Sequence, residues 1–176
     1  MSYGSQERVI DYPARRVELD TNARFEALIA AIESAVPELT DAAAVARLAD
    51  DGDWQAFTRG LAWESPSGFV RVWSSRPDAL MTAAGSARPS AVWLLVNHAV
   101  GARLFRHDPA TLLYSPLRLE AHAAQDAGTV LAFDVPSARL RSFGTNKVTQ
   151  AGAELDRALG DLVEDLGLPR PGALRR

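Results

Sequence analysis

Residues 117–123 read Leu-Arg-Leu-Glu-Ala-His-Ala, and this strict alternation leaves little freedom in how the segment can fold. Successive side chains of a strand point to opposite faces, so Leu117, Leu119 and Ala121 share one face and Arg118, Glu120 and His122 the other. A slip of one residue would carry the charged set into the core, so the pattern fixes the register as well as the strand. Gln125-Asp126-Ala127-Gly128 supplies a turn, and Thr129–Val135 reads as the antiparallel partner of a hairpin.

The same logic places the other elements. Arg16–Asp20 alternates as a half-buried strand does. Phe25, Leu28, Ile29, Ile32 and Val36 then fall on one helical stripe, with Asp20 or Thr21 as its cap and Pro37 as its stop. Asp53 caps a short helix that turns Trp54, Phe57 and Leu61 inward. Phe69–Ser74 is β-branched and aromatic and reads as a strand, and a helical turn or two follows Arg76-Pro77. Ala91–Val96 is apolar at every position, which predicts a central strand covered on both sides. Leu112–Pro116 reads as a strand or loop. A last helix from Lys147 to Leu166 aligns Ala151, Leu155, Leu159, Leu162 and Leu166, and Gly167 and Pro169 close it.

Strands outnumber the helices between them. The expected fold class is therefore α+β, a small antiparallel or mixed sheet with helices packed mainly on one face. The 176 residues are one domain's worth, so a single α+β domain over 1–176 is expected, with its core at about 15–168 and short flexible termini. The Ala- and Asp-rich stretch 40–52 carries only a turn signal.

Composition narrows the function classes. A net charge of −3 gives no electrostatic footprint for nucleic acid. The basic pairs Arg15-Arg16 and Arg175-Arg176 read as solvated. Without a single cysteine the chain has no disulfide, thiolate metal site or cysteine nucleophile, which suits a reducing compartment. The N-terminal ten residues lack the basic flank and apolar run of a signal peptide, and no stretch nears the ~18 apolar residues of a membrane span. A cytoplasmic protein that binds neither nucleic acid nor membrane is expected.

Two of the three histidines lie in residues 97–108, Asn-His-Ala-Val-Gly-Ala-Arg-Leu-Phe-Arg-His-Asp. Nine positions separate His98 from His107, so on one unbroken helix they diverge by about 180° and lie roughly 13 Å apart along the axis. Zn–N bonds are only about 2.0–2.1 Å long, so a shared ion is out of reach unless Gly101 breaks the helix. Val100, Gly101, Leu104 and Phe105 form the apolar stripe, and each histidine falls at its edge. The carboxylates of the last helix (Asp156, Asp161, Glu164, Asp165) read as a solvated face, with Arg157 pairing Asp161 at i, i+4. Trp54, Trp63, Trp73 and Trp93 read as core or pocket wall. Residues 49–57 lack the order of a calcium loop, and no nucleotide, hydrolase or kinase signature occurs.

The second half resembles the bacterial and archaeal domain-of-unknown-function family 302. The likeness rests on Val96-Asn97-His98, Asp108-Pro109, Tyr114 and Pro116, then the hairpin and the terminal helix. With Gly52–Phe57 and the segment 68–80 it extends over most of residues 15–168. Many relatives carry Gly-Asn-Pro where this chain has Val96-Asn97-His98. The resemblance implies a compact α+β fold and assigns no reaction and no catalytic residue.

Three functional expectations follow, in order. The first is a non-catalytic small-ligand-binding or regulatory module whose pocket gathers Asn97, His98, Tyr114 and Arg118 at the end of the buried strand. The second is a homo-oligomeric interaction protein, with a homodimer as the commonest form. The third is an acid–base enzyme using His98 or His107, which needs an orienting partner for the imidazole. No catalytic residue, metal ligand or cofactor is predicted.

Overall fold

The computed structural model describes residues 3–39 and 50–175. Most of the Ala- and Asp-rich stretch and Arg176 of the basic tail lie outside them. Strand β1 (Arg16–Thr21) leads to helix α1 (Phe25–Ala35), α2 (Trp54–Glu64), β2 (Val70–Ser75) and α3 (Asp78–Ala83). Then follow β3 (Ser90–Val96), α4 (His98–His107), β4 (Leu117–Ala123), β5 (Thr129–Asp134), α5 (Pro136–Leu140) and α6 (Asn146–Asp165). Of the segment Leu112–Pro116, expected as strand or loop, Leu112–Tyr114 belong to a 3-10 helix over Pro109–Tyr114, and the Ser115-Pro116 peptide is cis.

Among the described residues, five strands form one antiparallel sheet in the order β1-β5-β4-β3-β2. Its register lines apolar side chains into rows across one face. One row is Val17–Phe133–Leu119–Trp93, and the next is Leu19–Leu131–Ala121–Ala91. Against these rows pack the stripe of α1, Val100 and Leu104 of α4, and the inner side of α6, in one continuous core. Trp93, fully buried, donates its indole N–H to Glu33 of α1.

The other face is different. Its rows are Leu94–Arg118, Val92–Glu120–Ala132–Glu18 and Ser90–His122–Val130–Asp20. β3 accordingly alternates between buried and half-buried positions and is not covered on both sides as its composition implied. The reason is the register: Val92 and Leu94 share a face with the charges of β4.

Strand β1 is clasped to the hairpin. Thr21 donates its hydroxyl to the Thr129 carbonyl, and Thr129, buried, donates its own to the Ala23 carbonyl. Thr21 is thus engaged with the sheet. The helix start moves to Arg24, which has no side-chain cap, and neither Asp20 nor Thr21 caps α1. A Cβ on Gly128 would sit 2.2 Å from the Thr21 carbonyl, so the close approach of β1 requires glycine there.

Several sequence expectations fail for identifiable reasons. Of the four tryptophans only Trp93 is core; Trp54, 46% exposed, is the wall of a depression, and Trp73 and Trp63 are 50% and 90% exposed. In β2 the register shifts between Arg71 and Trp73, leaving Val72 as a bulge. That one extra residue swings Trp73 onto the open face opposite Leu94, while Arg71 donates from Nε to the Val36 carbonyl. Helix α2, though capped by Asp53 as expected, buries none of its residues; Phe57 and Leu61 are only half-buried. Phe105 of the expected α4 stripe is half exposed, because α4 turns Val100 and Leu104 to the core and Arg103 toward Glu154 of α6.

Asp156 is not on the solvated face. It is 3% exposed and accepts the backbone N–H of Ser137 at the start of α5. Asp161 pairs with Arg170, which also reaches Glu164, and not with Arg157. The core reaches beyond residue 168, where the sequence reading ended it, because Leu174 is buried.

Trp93→Ala should lower unfolding free energy by about 3–5 kcal/mol, the usual range for a deleted core aromatic. Trp63→Ala should stay within about 0.5 kcal/mol, as exposed substitutions do. Urea unfolding of both variants checks the contrast.

Candidate functional site

The polar residues singled out at the end of β3 do not converge. Asn97 is the N-cap of α4: its Oδ1 accepts the Val100 backbone N–H at 3.1 Å. Its Nδ2 lies against Gly68, where a Cβ would be 2.8 Å away and φ is +73°. Asn97 thus secures a helix start and a turn, and it lines neither of the depressions that hold the other three residues.

Helix α4 runs unbroken through Gly101, so His98 and His107 occupy different environments. His98 stands at the first turn, edge-on to Phe57 of α2 with ring centroids 5.3 Å apart. Its Nε2 is buried without a hydrogen-bond partner among the described residues. Burial pushes its pKa below the ordinary histidine value, so the ring is held neutral. Around it Trp54, Val96, Gly101, Ala102, Phe105, Leu112 and Ser115 line an open cavity of about 300 Å³, with no charged group in its walls among the described residues. His107 lies on a basic cleft between α4 and α6, with Arg103, Arg106, Lys147 and Glu154. Among the described residues no group of three or more His, Asp or Glu side chains could hold a metal ion.

Tyr114 and Arg118 belong to another depression, on the open face of the sheet. Leu94, Leu113, Pro116, Leu117 and Pro136 form its apolar walls, and Asp134 and Arg139 join Tyr114 and Arg118 as its polar groups, around about 200 Å³. Tyr114 donates its hydroxyl to Tyr12 at 2.7 Å, and the Arg139 guanidinium lies over its ring, 5.6 Å from the centroid. Burial, with that hydrogen bond, raises the Tyr114 pKa. Arg139 pairs with Asp134 and donates to Tyr12 at 3.3 Å. Arg118 makes no hydrogen bond or ion pair among the described residues, and its cross-strand neighbour is Leu94. Two further depressions share walls with this one, through Tyr114 on one side and through Arg118 and Asp134 on the other.

Sequence reading missed Arg139, whose place beside Tyr114 depends on the turn from β5 into α5. It also missed the pairing of His122 with Glu120, whose carboxylate oxygens both lie 3.1 Å from Nδ1. The alternation of β4 held that signal, since residues two apart share a strand face. The carboxylate partner that acid–base work requires is therefore on His122 and not on His98 or His107.

The backbone as a whole matches a known one. The crystal structure of the uncharacterized conserved protein DUF302 from Bacillus stearothermophilus is similar to this chain with a TM-score of 0.61, over 86% of this chain and 97% of that one, at 12% identity. The fold is DUF302-like. No protein-family model and no curated protein matches the sequence. The likeness of a DUF302-like fold concerns architecture, an α+β chain of one antiparallel sheet and its helices. Among the described residues no helix is long and apolar enough to cross a membrane.

Two outcomes test these assignments. Asn97→Ala should destabilise the protein by about 1 kcal/mol through the lost cap, measured by urea unfolding. His98 has a folded pKa below its unfolded value of 6.5, so the unfolded chain binds more protons and stability falls as pH drops below about 6.5. His98→Phe should therefore lose less stability than the parent between pH 7.5 and 5.5; equal losses would refute the assignment.

Proposed function

We propose that the protein is a non-catalytic small-ligand-binding module with a regulatory role, and that its ligand carries an anionic group. The observation that carries this reading is the unpaired Arg118 guanidinium in a cleft where apolar walls stand beside an aromatic ring and the Asp134–Arg139 ion pair, which leaves Arg118 as the cation without a counter-charge. Small-molecule sites combine such walls with a few placed polar groups. A guanidinium offers a carboxylate or phosphate two parallel N–H donors. The Tyr114 ring, held by Tyr12 and Arg139, supplies a fixed aromatic wall beside it. The basic cleft at His107 is a weaker candidate, because flexible charged chains line most of it and Glu154 already neutralises Arg103. A cytoplasmic location belongs to this reading and rests on the cysteine-free composition.

A second reading, association of two copies, draws on the edge strand β2. Val72 and Trp73 are exposed there, and Leu80 of the following α3 is 69% exposed. Sedimentation at rising concentration would then show a dimer that Trp73→Glu dissolves.

The first reading is tested by thermal unfolding against a panel of small carboxylates and phosphate esters. A ligand at a hundred times its Kd adds about 2.7 kcal/mol, which raises Tm by roughly 5–10 °C for a chain of this size. Arg118→Leu should abolish that rise and Arg106→Ala should leave it intact. A panel without effect, or a rise that survives Arg118→Leu, would contradict the reading.

A further inference from the structure

We infer that two copies of this chain join through the outer edge of β1, antiparallel and with Val17 on the two-fold axis, so that the two five-stranded sheets become one. β1 ends the sheet, and its neighbour β5 takes only half of its backbone groups. The Val135 N–H donates to the Arg15 carbonyl, and in an antiparallel ladder such bonded pairs alternate with unbonded ones. Val17, Leu19 and Thr21 therefore bond inward to β5, and the N–H and C=O groups of Arg16, Glu18 and Asp20 face outward. No turn or loop of the described residues bonds to them. The far edge differs, because the Arg71 N–H and carbonyl of β2 are taken by Pro37 and Leu39. Open backbone groups along an edge are a template for another strand.

The charges on this edge say that the strand is a second copy. Paired residues share a face, so only a register centred on a residue keeps both apolar faces on one side. Centres at Arg16, Glu18, Leu19 and Asp20 each set like charges directly opposite, which is destabilising. The centre at Val17 sets Arg16 against the partner's Glu18 on both sides of the axis, and Asp20 against the partner's Ala14. It also sets the two Val17 side chains together. The row Val17–Phe133–Leu119–Trp93, which ends half-buried at Val17, then runs on into the partner. Arg16 and Glu18 are exposed and already meet at 2.9 Å within the strand, so the partner's pair extends an existing network across the axis. On the open face both residues line the depression of about 380 Å³ that holds Arg118, Glu120 and His122, and the partner's Arg16 comes to its rim. β1 has only six residues, so the contact is small and the association weak.

Sedimentation equilibrium of the full chain up to millimolar concentration tests this. The parent should dimerise. Arg16→Glu and Glu18→Arg should each weaken the dimer at least tenfold, since each turns both attractive contacts repulsive. Mixed one to one, the two variants should form a heterodimer as tight as the parent dimer, because opposite charges again face each other across the axis. A loss of the Arg16–Glu18 pair within one strand would not produce that recovery. Trp73→Glu, which acts on a dimer made through β2, should change nothing, so the two modes of association fail separately. A parent chain that stays monomeric at millimolar concentration overturns the inference. So does a dimer that survives both charge reversals or is dissolved by Trp73→Glu, and so do two variants that fail to recombine.

Discussion

One constraint organises this molecule: along β3, β4 and β5 the large buried side chains Trp93, Leu95, Leu119, Leu131 and Phe133 gather on one face of the sheet, and the charges of β4 on the other. Pairing Trp93 with Leu119, and Leu119 with Phe133, stacks apolar groups into rows that only a layer of helices can cover. The same pairing lines Arg118, Glu120, His122 and Glu18 on the reverse. Placing helices there would bury charges whose desolvation the available partners could not offset. A two-layer fold with an open polar face is the consequence.

The legible parts of the fold were those that local periodicity determines. The stripe Phe25–Val36, the alternation of β4 and the spacing of Leu155, Leu159 and Leu162 each name the buried side of an element, and each does bury it. What escaped was long-range. A bulge at Val72 leaves no mark in a run of β-branched residues, yet it decides on which face Trp73 stands. Asp156 looked like its exposed neighbours on α6, because its partner is the backbone of Ser137, nineteen residues earlier. Arg170 took Asp161 from Arg157 only because the chain after Gly167 doubles back on α6.

The candidate site followed the same rule. Asn97 and His98 adjoin in sequence, and Tyr114 and Arg118 lie on the next connection and strand, so one pocket was the natural reading. Asn97 instead caps the helix, and Pro109–Pro116 divides the remaining residues. Leu112 and Ser115 face the His98 cavity, while Leu113, Tyr114 and Pro116 face the Arg118 cleft. One short segment is thus the common wall of two chemically unlike depressions, one apolar with a neutral imidazole, the other polar with a free guanidinium.

The open face can be read out directly, because the chain has no cysteine of its own. Single cysteines placed at 118, 119, 120, 121 and 122 would be challenged with a thiol reagent under native conditions. The division into two faces predicts that Arg118→Cys, Glu120→Cys and His122→Cys react fast, and that Leu119→Cys and Ala121→Cys react only on unfolding. Slow reaction at all five positions would mean that both faces are covered, and would contradict the account at its root.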